Sequence, residues 1–152
     1  MTHLGTFEDF SIGQVLKSGS ITITEDEIIK YASQYDPQIM HTDPERAKTE
    51  TMFKGLIASG WHTASLSMRL FVDAWPEIKG GMVGRQIDKI EWPRPVYPDD
   101  QLSFSCEITE MKASRSRPDI GIVKTTNTTT NQNGEVVMVA RIVMVLPTLE
   151  QA

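Results

Sequence analysis

The sequence predicts an α+β protein: helical segments first, then a run of antiparallel strands. Three observations carry this. Residues 60–74 repeat apolar and small side chains at three- and four-residue intervals, the period of a helix. From residue 81 onward, apolar and polar residues mostly alternate between turn signals, the period of a strand. The strand-like segments are grouped after the helical ones rather than interleaved with them, which favours an antiparallel sheet packed on helices over a parallel α/β sheet.

The elements follow in order. "VLKSGSITIT", Val15 to Thr24, ends in alternation and reads as a first strand. "TEDE", Thr24 to Glu27, has capping-box spacing, with the Thr24 hydroxyl able to accept from the Glu27 amide while the Glu27 side chain reaches back. The helix through Ile28, Ala32 and Tyr35 should stop at Asp36-Pro37, because a residue before proline is pushed out of the α region. A second start lies at Asp43-Pro44, an N-cap followed by proline at the first helical position. In "GLIASGWHTASLSMRLFVDAWP" the residues Trp61, Ala64, Ser65, Met68, Phe71 or Val72, and Trp75 share one face, predicting a long and mostly buried helix over Gly60–Ala74, ended by Pro76.

Four strands come next. "GMVGRQIDKIEW" precedes the rigid "PRPVYPDD", and "QLSFSCEITEMKA" alternates with Leu102, Phe104, Cys106 and Ile108 on one side. Cys106 therefore faces inward, as a packed thiol rather than a nucleophile. "DIGIVKTTNTTT" leads through Asn133-Gly134, a strong hairpin signal, into "EVVMVARIVMVL". A sheet that wraps one long helix in this way is the hot-dog arrangement.

At 152 residues the chain reads as a single domain with one core. Its net charge of −5 argues against a nucleic-acid or anionic-membrane surface, which needs a basic excess. "MTHLGTFEDF" has neither a basic region nor an apolar stretch, so no signal peptide is expected, and "VVMVARIVMVL" is too short to span a bilayer. One cysteine rules out an intrachain disulfide, and a cytoplasmic protein is expected.

The segment "YDPQIMHTDPE" sets Asp36 and His41 five residues apart among turn signals, off any apolar period. Two readings are open: a turn leading into a capped helix, or the acid–base pair of a site. Spacing alone favours the turn. His3 lies near the terminus, and His62 falls in the first turn of the long helix, where a positional role is favoured. No Cys/His cluster suggests a metal site, no G-x-S-x-G elbow suggests a serine hydrolase, and Gly80, Gly81 and Gly84 lead into a strand rather than a phosphate-binding helix. Gly60 stands where the long helix begins, so free N–H groups and the positive dipole end converge on it. It serves either close helix packing or close approach of a ligand.

Taken together these stretches resemble the MaoC-like dehydratases of the (R)-specific enoyl-CoA hydratase family. Asp36-Pro37-Gln38-Ile39-Met40-His41 keeps both ends of the family pattern D-x-N-P-[LIV]-H, with Gln38 in place of asparagine and Ile39 in place of proline. "GLIASGWHTASL" resembles the family's glycine-containing start of the central helix, with Ser59 where relatives carry histidine. "RPVYPDDQLSF" is similar to its PV-x-x-GD-x-L stretch, with Asp99 in place of glycine.

The resemblance implies a hot-dog fold over the chain and a hydratase or dehydratase of acyl-CoA thioesters. Asp36 and His41 would activate water, and the Gly60 N–H would hold the enolate oxygen. Gln38, Met40, Ser59, Trp61 and Ser65 would line the substrate site. No metal or other cofactor is expected. Arg85, Lys89 and Arg94 offer cations for the CoA phosphates, whereas Lys112, Arg115 and Arg117 read as a solvated turn. The family also implies a homodimer or larger homo-oligomer. Two alternatives remain: a hot-dog thioesterase, disfavoured because the long helix carries no carboxylate before Asp73, and a non-catalytic acyl-CoA-binding protein.

Overall fold

The computed structural model describes residues 3–149. β1 (Val15–Thr22) leads into α1 (Glu25–Tyr35), the short α2 (Ile39–Thr42), α3 (Pro44–Glu50) and the long α4 (Gly60–Ala74). β2 (Val83–Glu91), β3 (Gln101–Ala113), β4 (Ile120–Thr130) and β5 (Val136–Pro147) complete the chain. The five strands form one antiparallel sheet in the order β1-β3-β4-β5-β2, with α4 lying against it. This is the α+β class that the grouping of helices and strands predicts, in the hot-dog arrangement that the resemblance implies.

The local signals act where the sequence places them. Thr24 and Glu27 form both bonds of a capping box, and α1 ends at Tyr35 with Asp36 as its C-cap. Asp43 accepts from the Arg46 N–H at 3.1 Å and so caps α3, with Pro44 at its start. Asp99, where the related pattern has glycine, adopts φ 70°; aspartate is among the few residues that enter this left-handed region at modest cost. That turn is held by the Asp99 N–H on the Ile23 carbonyl, 2.7 Å, and by the Asp100 carboxylate on the Tyr97 N–H, 2.9 Å.

The core joins Ile28 of α1, Leu70 and Phe71 of α4, and the inward row Leu102, Phe104, Cys106 and Ile108 of β3. Burying one such aliphatic or aromatic side chain contributes about 1.5–3 kcal/mol. Phe71 sets its ring edge-on to Phe104, and Trp75 packs against Phe10 and Phe71, so the C-terminal half of α4 is pinned to the sheet by aromatic contacts.

The orientation of α4 differs from the face expected from its periodicity. Its buried side chains are His62, Thr63, Ser67, Leu70 and Phe71, whereas Trp61, Met68 and Val72 are each more than half exposed. Trp61, Ala64, Met68 and Phe71 instead face an open groove between α4 and strands β2, β4 and β5, while α4 packs mainly toward β1 and β3. The apolar stripe is real, but most of it borders a cavity, and only Phe71 and Trp75 at its C-terminal end reach the core.

Candidate active site

Asp36 stands at the C-terminus of α1 because Pro37 prevents that helix from continuing. One turn later the four-residue α2 returns the chain and presents His41, whose backbone N–H bonds to the Gln38 carbonyl at 2.9 Å. The reversal brings the His41 Nε2 to 3.3 Å from the Asp36 Oδ2, with the histidine side chain 9% and the aspartate side chain 21% exposed.

Each partner is held from a second direction. The His41 Nδ1 lies 2.7 Å from the Ile57 carbonyl oxygen. A carbonyl only accepts, so Nδ1 carries the proton and Nε2 is the ring nitrogen that faces Asp36. Ser59 donates its hydroxyl to the Asp36 Oδ2 at 2.7 Å, and the Gln38 amide donates to the Oδ1 at 2.6 Å. Burial, the largest single influence, pushes the Asp36 carboxyl up. The Gln38 and Ser59 bonds and the nearby imidazole together outweigh it and hold Asp36 below the usual aspartate range. At neutral pH it is a carboxylate.

Ser59 is also the N-cap of α4, yet its hydroxyl makes no capping bond because it is committed to Asp36. Among the described residues, the Gly60 and Trp61 N–H groups donate to no protein acceptor. The helix therefore begins with uncapped donors and its positive dipole end beside the Asp36–His41 pair. A Cβ on Gly60 would lie 2.9 Å from the Trp92 ring, so glycine here admits the indole. This supports the packing reading of Gly60 without removing its N–H from the site.

His41 and Gly60 border an open cleft of about 360 Å³, walled also by Phe53, Ala58, Trp92 and Val96 among others. Pro93 and Pro95 fix the backbone of its far wall. Arg94 reaches the cleft with its side chain 57% exposed and an ion pair to Glu135 at 2.9 Å. Trp92 in the cleft meets Trp61 of the apolar groove edge-on, with centroids 5.5 Å apart, so the indole pair stands between the two spaces.

The other sequence candidates fall elsewhere. Ser65 donates back to the Trp61 carbonyl at 2.8 Å and lines neither cavity. Met40 is half-buried and enters through its backbone, its carbonyl accepting from the Ile57 N–H. His62 stacks on Tyr31 at 4.5 Å, and burial depresses its basicity, opposed only by Glu27. His3 bonds to Asp9 at the far side of the fold. Lys89 pairs with Glu91 and Arg117 with Asp119, whereas Arg85 borders a separate surface recess with Lys112. Trp92, Thr63 and the Ile57 carbonyl were not singled out from the sequence; "EWPRPV", an aromatic residue against a proline-stiffened turn, was the signal for Trp92.

Comparison with known proteins agrees with this architecture. Residues 9–132 match the profile described as "MaoC like domain". The chain belongs to the MaoC-like family. It is 34% identical over 125 residues to the uncharacterized protein YdeM of Bacillus subtilis, covering 82% of this chain and 86% of that one. A MaoC-like dehydratase from Rhodospirillum rubrum superposes with a TM-score of 0.89 at 35% identity, covering 95% of this chain and 97% of its own. The (R)-hydratase from A. caviae involved in PHA biosynthesis shares the fold, with a TM-score of 0.73 at 23% identity over 90% of this chain and 97% of its own. Among the described residues, no helix is long and apolar enough to cross a membrane.

Proposed function

We propose that this MaoC-like protein adds water to trans-2-enoyl-CoA thioesters, or removes it from the corresponding (R)-3-hydroxyacyl thioesters. The observation that carries the reading is the position of the Asp36–His41 pair beside an uncapped helix N-terminus. The depressed carboxylate of Asp36 and the adjacent Nε2 of His41 can together position a water and take up its proton.

In the hydration direction the water oxygen bonds to C3 of the enoyl group as its proton passes to the pair. The C2–C3 π electrons move toward the thioester carbonyl, whose oxygen gains charge and is held by the Gly60 N–H. The pair then returns a proton to C2, so H and OH are added across the double bond and the pair is restored. Ser59 and Gln38 keep Asp36 ionised and aimed. The Ile57 carbonyl keeps His41 in the tautomer that exposes Nε2. Trp61 and the apolar groove beyond it receive the acyl chain, and Arg94 at the cleft offers a cation to the CoA phosphates.

A thioesterase is less well supported, because Asp73 is the first carboxylate on α4 and it is paired with Arg69 at 3.1 Å. We also infer self-association. β2 is an edge strand, with Val83 65% and Ile87 54% exposed, and its free edge offers apolar side chains and backbone groups to a second copy. Sedimentation velocity should show a dimer or larger species that Ile87→Lys shifts toward monomer; a wild-type monomer at micromolar concentration would overturn this.

The test of the chemistry is loss of enoyl absorbance across short, branched and medium-chain enoyl-CoAs, for wild type, Asp36→Asn and His41→Ala. Each variant should lose about 10²–10⁴-fold in kcat while keeping its fold. No wild-type turnover across the panel, or turnover indifferent to both changes, would sink the proposal and leave acyl-CoA binding without catalysis as the reading.

A further inference from the structure

The central strand β4 turns an unusual row of side chains toward α4. Val123 is followed on the same side by Thr125, Asn127 and Thr129, and all four are at most 6% exposed. A strand at the middle of a five-stranded sheet, under its helix, ordinarily presents aliphatic residues there. Asn127 and Thr129 instead line the floor of the groove whose other walls include Ala64, Met68, Ile90 and Ile142.

The hydrogen bonds at this floor are incomplete. Ser67 donates its single O–H to the Thr63 carbonyl at 2.8 Å, and the same hydroxyl comes within 3.6 Å of the Met138 sulfur. The 2.7 Å contact between Ser67 and Thr129 must then be donated by Thr129. The Asn127 carbonyl oxygen is buried and makes no hydrogen bond. A carbonyl oxygen kept without a partner beside an apolar groove is costly unless something that enters the groove bonds to it.

We propose that the groove receives an acyl chain bearing a hydroxyl group, and that Asn127 with Thr129 reads this oxygen. A hydroxyl both donates and accepts, so it can satisfy the Asn127 carbonyl and its neighbouring amide N–H, which an alkyl chain cannot. Ser67, which anchors Thr129, follows Gly60 by seven residues, roughly 10 Å along the helix axis. The oxygen therefore lies well down the chain and is not the 3-hydroxyl of the reaction. The inference rests on the proposed hydratase reading for its thioester and adds the chemical class of the acyl group.

The test compares kcat/KM for trans-2-enoyl-CoAs of matched length ending in methyl or in hydroxyl, with wild type, Asn127→Leu and Thr129→Val. Wild type should favour the hydroxyl-ended chain by about tenfold or more at the length that reaches Asn127. Asn127→Leu should abolish or invert that preference, and Thr129→Val should weaken it. Preference for methyl at every length, or a ratio unchanged by Asn127→Leu, would overturn the proposal.

Calorimetric binding of the saturated, unreactive acyl-CoAs separates the two levels. Hydroxyl-selective binding without hydration would sustain the groove assignment and sink the hydratase reading. Hydration with no hydroxyl preference would do the reverse, and no binding of either thioester would overturn both. Should Asn127→Leu fail to fold, the wild-type preference and Thr129→Val still decide the matter.

Discussion

Ser59→Ala removes one hydroxyl from a fully buried position and tests how the site controls its carboxylate. That hydroxyl is spent on Asp36 and not on the helix, so the usual loss of an N-cap is not expected. What is lost is a hydrogen bond to a charged acceptor, worth about 1.5–3 kcal/mol. Asp36 keeps 21% of its side chain exposed and retains the Gln38 bond, which places the effect near the lower end, about 1.5 kcal/mol. Losing this bond removes one of the influences that hold Asp36 low, so its midpoint should rise.

The sign for stability follows from the same bond. A carboxyl held below its unfolded value stabilises the fold above that unfolded value, about 3.9, and the stabilisation is lost as pH falls through the folded value. The variant should therefore melt about 3–6 °C lower at pH 7, and the gap should close toward pH 2. Carbon-detected NMR titration of the Asp36 carboxyl reads the midpoint directly, and thermal melts at both pH values read the stability. An unmoved midpoint, or an equal stability loss at both pH values, would refute the reasoning.

Two further outcomes concern the scaffold. Burial pushes the Cys106 thiol up to about 11, so a disulfide reagent at pH 8 should label it only under denaturant; rapid labelling of the native protein would contradict its inward placement. A side chain at Gly121 would overlap the Phe7 ring, so Gly121→Val should cost about 1–3 kcal/mol in urea unfolding, and an unchanged midpoint would show that Phe7 moves aside freely.

Much of the fold was legible because its punctuation is local. The Thr24 capping box, the Asp36-Pro37 stop, the Asp43-Pro44 start and the Asn133-Gly134 turn all act through bonds or backbone restrictions spanning a few residues. The partnership of Asp36 with His41 was less legible, because spacing of five fits a turn equally well until α2 folds the chain back. The face of α4 was misjudged for a physical reason: a period of 3.6 reports where apolar residues align and not whether a core or a cavity lies opposite. The contact of Trp92 with Gly60 was out of reach, since it joins segments that no short-range signal connects.

The bonds from His41 to Ile57 and from Ser59 to Asp36 both close inside residues 36–60. Loops of this length close at small entropic cost, so the candidate centre is assembled from one short contiguous passage. The groove is written elsewhere, on α4 and in β2 to β5. Under the proposed function, the groups assigned to chemistry and those assigned to selectivity thus occupy separate stretches of sequence. Variation beyond residue 60 would then change what is accepted without rewriting how it is transformed.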